Sequence, residues 1–327
     1  MTTDRSPVIR AEGLSKRFGN ISAVDHVSFT VGRHEVLGIL GTNDSGKTTL
    51  LRLIATYLAP DAGTASVESH DVLDDPMAVR SVIGYLPESA PLYPDMEAQD
   101  HLQFIAALRG LNRAARRDGI ERAVELCGLE DVLTSRPAGL SPGFRRRLAL
   151  ACVVLHDPDV LVLDEPTGGL GPNEVVELRE IVGALARDRT VVLASHVLPE
   201  VRSVSTKVLV MDHGRSLGEA APDELGERPL GAGVVVSILA PGAELGKALR
   251  SLPSVEVVEE LGPDEDGYER FALSGGPERE LADDLFELVR DGGWRLRELS
   301  PSGVSLEDVF LQLAPGRKSP AAKEGDR

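Results

Sequence analysis

The stretch "GILGTNDSGKTTLLRLI", Gly38 to Ile54, constrains the chain more than any other. It completes the pattern G-x-x-x-x-G-K-[ST] with Gly41, Gly46, Lys47 and Thr48. That pattern needs a strand before it and a helix after it. The chain before it alternates apolar and polar residues in "HVSFTV" and "HEVLGIL", which reads as strands. After it, Leu50, Ile54, Tyr57 and Leu58 fall on one helical face, so "KTTLLRLIATYL" is expected to be an amphipathic helix. In such a loop, successive backbone N–H groups and the helix N-terminus cradle phosphates, the lysine reaches the terminal ones and the Thr48 hydroxyl takes Mg²⁺. Asp44 is the discordant residue, because it places a carboxylate among groups that attract phosphate.

Two nearly continuous apolar runs, "DVLVLDEP" and "RTVVLASH", read as strands buried on both faces of a parallel sheet, with a helix from Asn173 to Arg187 joining them. The first run delivers Asp164 and Glu165 to its C-terminal edge beside the loop. There Asp164 would hold Mg²⁺ and Glu165 would polarise an attacking water; an acidic pair that merely caps a helix is the plainer alternative. Helical spacing in "QDHLQFIAALRG" and "GIERAVELCGL" marks a helical insertion, and Ser141 followed by Pro142 is a good cap and first residue for a further helix. Past "GERPLGAG", the order strand, helix, strand, strand, helix, strand is that of a ferredoxin-like unit.

Composition narrows the function classes. With 35 Lys and Arg against 52 Asp and Glu, the net charge of -17 repels nucleic acid and anionic lipid. Cys127 and Cys152 lack metal-type spacing and are expected to be buried free thiols. The longest apolar run, "LALACVVL", is too short to cross a bilayer, so any membrane span is expected from another chain.

At this point the sequence resembles the ATP-binding subunit of ABC transporters over roughly residues 8–218. The residues that carry the likeness are "GTNDSGKTTL", "LSPGFRRRLALA" from Leu140, "VLVLDEPTGGLGP" from Val160 and "LASHVLPEV" from Leu193. The resemblance implies ATP and Mg²⁺ as cofactors. It assigns nucleotide binding to Gly41, Thr42, Asn43, Asp44, Ser45, Gly46, Lys47, Thr48 and Thr49. It implies that two subunits pair head to tail, so that Ser141 and the Gly143 N–H touch the γ-phosphate of ATP on the partner. A well-capped helix followed by basic surface at Arg145, Arg146 and Arg147 is a compatible, plainer reading. Phe18 resembles the aromatic that stacks on adenine, although a lone Phe after a short strand also suits a core. Glu88 stands where the family usually has a glutamine that contacts Mg²⁺ and the permease. His196 resembles the switch histidine, with a histidine satisfied at a strand end as the alternative. Lys47, Glu165 and His196 are thus the expected catalytic set.

The expected fold is α/β: a P-loop NTPase domain (1–225) with an antiparallel β subdomain and a helical insertion (about 94–140). A linker (226–233), a small ferredoxin-like α+β domain (234–315) and a disordered tail (316–327) follow, with a last helix at "SLEDVFLQLA". The function the resemblance implies is ATP hydrolysis powering an exporter, of the branch that includes multidrug and gliding-motility systems. The expected partners are a separate integral-membrane permease and a second copy or a paralogue, with no nucleic acid, at the inner face of the cell membrane. A nucleotide-gated regulatory subunit with little turnover is the alternative, suggested by Asp44, Pro142 and Gly171, where the family prefers other residues. For Asp44, left-handed backbone is accessible to Asp. Its charge is expected to cost about 2 kcal/mol, or roughly thirtyfold in affinity, at ~8 Å from a phosphate and an effective dielectric of ~20.

Overall fold

The computed structural model describes residues 7–225, 233–240, 245–264, 267–275 and 278–302. Two compact units divide the chain, Met1–Glu224 and Leu225–Arg327. The expected last helix at 305–314 and the tail lie outside the described residues.

In the first unit, strands β1 (Ile9–Phe18), β2 (Ile21–Val31), β3 (Val36–Gly41), β4 (Ala62–Val67), β5 (His70–Asp71), β6 (Ile83–Leu86), β7 (Val160–Asp164), β8 (Thr190–Ser195), β9 (Lys207–Asp212) and β10 (Arg215–Ala220) form two sheets. One is antiparallel in the order β2-β1-β4-β5. The other runs β10-β9-β3-β8-β7-β6, parallel except for the β10 edge. Every residue of β3, β7 and β8 is buried, as their unbroken apolar runs require. Alternate residues serve two cores: Val160 and Val162 face the antiparallel sheet and helix α1 (Lys47–Ile54), while Leu161 and Leu163 face the helical side.

That helical side contains α3 (Ala98–Leu108), α4 (Arg113–Cys127), α5 (Pro142–Val154) and α6 (Pro172–Leu185), after α2 (Pro76–Val82) and before α7 (Leu198–Val204). Ser141 caps α5 by accepting from the Phe144 N–H, and Pro142 is the first helical residue. Cys127 is buried and Cys152 half-buried, and both are free thiols.

Helix α1 is shorter than its sequence pattern. It ends at Ile54 because Thr56 takes φ 59, a rare conformation for a β-branched residue, which leaves Tyr57 exposed. Arg80 of α2 holds that turn, donating from Nε to Thr56 Oγ1 at 2.7 Å and from Nη2 to the Thr56 carbonyl at 2.9 Å.

The second unit contains β11 (Gly233–Leu239), α8 (Leu245–Arg250), β12 (Val255–Pro263), β13 (Glu269–Gly275), α9 (Glu278–Asp291) and β14 (Arg295–Ser302). Its antiparallel sheet runs β12-β13-β11-β14, the ferredoxin-like arrangement. Trp294 packs against its core.

Leu50 is fully buried and fixes α1, and so the phosphate-loop side of the sheet, to the core. Leu50→Ala is expected to lower the unfolding free energy by roughly 2–5 kcal/mol in urea titration.

Candidate functional site

The C-terminal ends of β3, β7 and β8 lie side by side, since β3 pairs with β8 and β8 with β7. The site grows from these three ends. The loop Gly41–Gly46 leaves β3 and turns into α1 at Gly46, whose φ of 97 and close approach to the Ala23 carbonyl leave no room for a Cβ. Asp44 also takes positive φ, 66, and its side chain points into solvent. Aspartate therefore keeps the loop's backbone course, and water screens its charge.

Lys47 is 6% exposed and folds back on its own loop, donating to the carbonyls of Gly41 (2.9 Å) and Thr42 (2.8 Å). Its ammonium is 3.6 Å from Glu165 Oε1. The Thr48 hydroxyl donates to Asp164 Oδ1 at 3.1 Å, while Asp164 Oδ2 is buried with no hydrogen-bond partner. Burial pushes the Asp164 carboxyl above its ordinary value of 3.8, with the Glu88 and Glu165 charges adding and the Thr48 bond opposing. Among the described residues no group of three or more His, Cys, Asp or Glu could hold a metal. One carboxylate with a free oxygen beside a hydroxyl instead suits a hard cation that arrives with phosphate ligands.

Glu165 follows β7 at φ 43, a strained value for a non-glycine residue. Its N–H donates to the Ala194 carbonyl at 2.9 Å and its carbonyl accepts from the Gly168 N–H at 3.0 Å. This backbone kink aims the carboxylate at His196 Nδ1, 3.0 Å away. His196 sits just past β8 at the mouth of the site, with its side chain 48% exposed. Beneath it, Glu200 Oε2 accepts from Ser195 Oγ at 3.1 Å and from Thr167 Oγ1, tying the loop after Glu165 to the end of β8.

Lys47, Thr48, Asp164, Glu165 and His196 thus converge. Glu88 is exposed and touches this group through its charge. Phe18 ends β1 with 48% of its surface exposed and is not a core residue. Ser141 and Gly143 stand at the N-terminus of α5, where a carboxylate of the same chain already sits. Glu174 Oε1 accepts from the Gly143 N–H (2.9 Å) and the Ser141 hydroxyl (3.2 Å), and Oε2 from the Gly171 N–H (3.1 Å). These bonds, led by Gly171 and Gly143, hold the Glu174 carboxyl below its ordinary value of 4.5.

The expected basic surface at Arg145–Arg147 is corrected by the packing. Arg146 is 5% exposed, and Arg147 stacks 4.2 Å from the Phe144 ring centroid with 17% of its side chain exposed. Arg146 lies three residues after buried Gly143 and four before buried Leu150, so helical spacing alone puts it on the inward face. Glu174 had a signal too: it is the third helical residue after Gly171, the position from which a capping glutamate reaches back.

The family description "ABC transporter" matches residues 24–168. The chain is 34% identical over 311 residues to the Nod factor export ATP-binding protein I of Ralstonia nicotianae, covering 94% of each. The chain belongs to the ABC transporter family. It is also 33% identical to the daunorubicin/doxorubicin resistance ATP-binding protein DrrA of Streptomyces peucetius, covering 96% of this chain and 94% of that one. Among solved structures, cbiO1 of Clostridium perfringens, part of the ABC transporter complex cbiONQ, aligns with a TM-score of 0.61 at 26% identity. That match covers 67% of this chain and 90% of the other. Within the family, the chain is similar over nearly its whole length to ATP-binding proteins named for export and for drug resistance.

Two measurements check the local chemistry. Because Asp44 is solvated, Asp44→Gly is expected to tighten nucleotide binding by about threefold to tenfold, short of the thirtyfold of an unscreened carboxylate. Equal or weaker binding in an equilibrium titration would contradict this. Since the Glu174 pKa is lowered on folding, its contribution is present above pH 4.5 and is lost as pH falls through the lower folded value. The thermal-midpoint difference between the parent and Glu174→Gln should therefore be widest near neutrality and close below pH 4.5.

Proposed function

We propose that this chain binds Mg-ATP on the Gly41–Thr49 loop and hydrolyses it to drive a membrane exporter through a separate permease chain. The convergence of Lys47, Thr48, Asp164, Glu165 and His196 at three adjoining strand ends carries the reading. Thr48 and Asp164 would hold Mg²⁺, and the unpartnered Asp164 Oδ2 is the observation that fits this. Such an ion would supply Lewis-acid neutralisation of phosphate charge.

Lys47 exchanges its loop carbonyls for phosphate oxygens, which releases Glu165 Oε1 from the ammonium. Glu165 then orients a water and accepts its proton, and His196 holds the carboxylate from the other side and faces the γ-phosphate. Ser141 and the Gly143 N–H close the site on a second subunit, a like copy or a paralogue, once the Glu174 carboxylate gives way. Phe18 would support the adenine, and the exposed Glu88 would serve the Mg²⁺ and the permease contact. Among the described residues no helix is long and apolar enough to cross a membrane. In this reading the permease holds the chain at the membrane's inner face.

The relatives' names, Nod factor export and daunorubicin resistance, support an exported organic molecule as cargo. Retention of the Glu165–His196 pair favours turnover over a purely regulatory subunit, since gating needs no water-activating base.

Steady-state Mg-ATP hydrolysis by the purified chain tests the reading. Turnover is expected, falling at least ~100-fold in Glu165→Gln. Equal rates in the two proteins would overturn it.

A further inference from the structure

Arg146 is a buried guanidinium that the reaction described so far does not use. It lies one turn into α5, the helix whose N-terminus carries Ser141 and Gly143. Its Nε donates to the Pro166 carbonyl at 2.6 Å. Nη1 donates to the carbonyls of Pro87 (3.0 Å) and Glu88 (2.7 Å), and Nη2 to those of Asp164 (2.9 Å) and Glu165. An arginine has five N–H donors, and here five main-chain carbonyls receive them.

The five acceptors belong to two segments that carry proposed site residues, Pro87–Glu88 and Asp164–Pro166. Their side chains point elsewhere: Asp164 to Thr48, and Glu165 to His196 and Lys47. Arg146 therefore grips the backbone and leaves the reactive groups free. The grip falls where the backbone is strained. Glu165 stands at φ 43, and the peptide planes on either side of it aim its side chain; Arg146 Nη2 donates to the carbonyls of both, Asp164 and Glu165, and the Glu165 carbonyl also accepts from the Gly168 N–H. Burial disfavours the charged guanidinium, and the Asp164, Glu88 and Glu165 carboxylates act to restore it.

We propose that Arg146 is a positioning residue for ATP hydrolysis: it fixes the Glu165 carbonyl, and with it the water-activating carboxylate, to the helix that carries Ser141 and Gly143. A displacement of that helix N-terminus carries the Arg146 backbone with it, since they lie about one helical turn, ~5.4 Å, apart, and pulls on the guanidinium that the five carbonyls hold. A phosphate docking at Ser141 and Gly143 then adjusts the Glu165 segment of the same chain, so that occupancy of one nucleotide site sets the competence of the other. The inference rests on Glu165 being the water-activating group.

Lysine offers one compact ammonium and cannot span both segments, so Arg146→Lys keeps the charge and loses the fork. Arg146→Gln keeps two donors without the charge. The test measures kcat for Mg-ATP and the equilibrium affinity for ATP in the parent, Arg146→Lys, Arg146→Gln and Glu165→Gln, with thermal melts as a folding control. The expected result is kcat lowered at least ~10-fold in Arg146→Lys and further in Arg146→Gln, with ATP affinity within ~3-fold of the parent. A role confined to stability would lower the melting temperature and leave kcat of the folded fraction unchanged.

A folded Arg146→Lys protein with parental kcat, beside an inactive Glu165→Gln, overturns this proposal alone. Affinity that falls in step with kcat also overturns it. So does failure of both Arg146 variants to fold, which would make the residue a structural clamp. Parental turnover in Glu165→Gln would remove the reading on which it rests, and the proposal with it.

Discussion

Two adjacent carboxylates end a fully buried strand, and the rest of the site answers to them. Asp164 is wholly inaccessible and Glu165 is 7% exposed. Unpaired, each buried charge would cost several kcal/mol. The partners come from every neighbouring segment: Thr48 and Lys47 from the phosphate loop, His196 from the end of β8, and Arg146 through the backbone beneath. The compensation is incomplete, because Asp164 Oδ2 has no hydrogen-bond partner. A buried carboxylate left partly unsatisfied suits the cation of the proposed reaction, and Lys47, held by loop carbonyls and Glu165, suits its phosphate. In the proposed reaction, the nucleotide supplies what the protein alone leaves unpaired.

Much of this was legible in residue order. Unbroken apolar runs identified β7 and β8, the glycine-lysine loop identified the turn after β3, and the strand-helix order of the second unit followed from alternation and turn residues. These features are local, and local patterns survive folding when one face must be buried. What escaped was long-range. Nothing near Thr56 announces that Arg80 will hold it at positive φ and stop α1 a turn early. Arg146 looks like one of three surface arginines until its helical phase is compared with that of Gly143 and Leu150, and its carbonyl partners lie 18 to 59 residues away in the chain. Glu174 was readable as a cap for its own helix, but its reach to α5 depends on how two helices pack.

The departures from the family's usual residues have separate physical outcomes. Asp44 adopts the left-handed backbone that a glycine there would take and keeps its charge in water. Pro142 occupies the first position of α5, where a missing N–H leaves no helical bond unmade. Gly171 is the substantive change. With no side chain to cap α6, the N–H of Gly171 is met by Glu174, whose other oxygen takes the Gly143 N–H and the Ser141 hydroxyl. One carboxylate thereby joins the starts of two helices at the surface that the dimer reading assigns to a partner's phosphate. The glycine leaves the cap of α6 to Glu174, whose negative group lies where the dimer reading puts a phosphate.

The central claim is that Asp164 takes the metal while Glu165 acts on water. The most direct measurement is the dissociation constant of ATP with and without Mg²⁺ for the parent, Asp164→Asn and Glu165→Gln. The account predicts that Mg²⁺ tightens ATP binding in the parent and in Glu165→Gln, and that most of this gain disappears in Asp164→Asn. An undiminished gain in Asp164→Asn, or its loss in Glu165→Gln alone, would contradict the assignment.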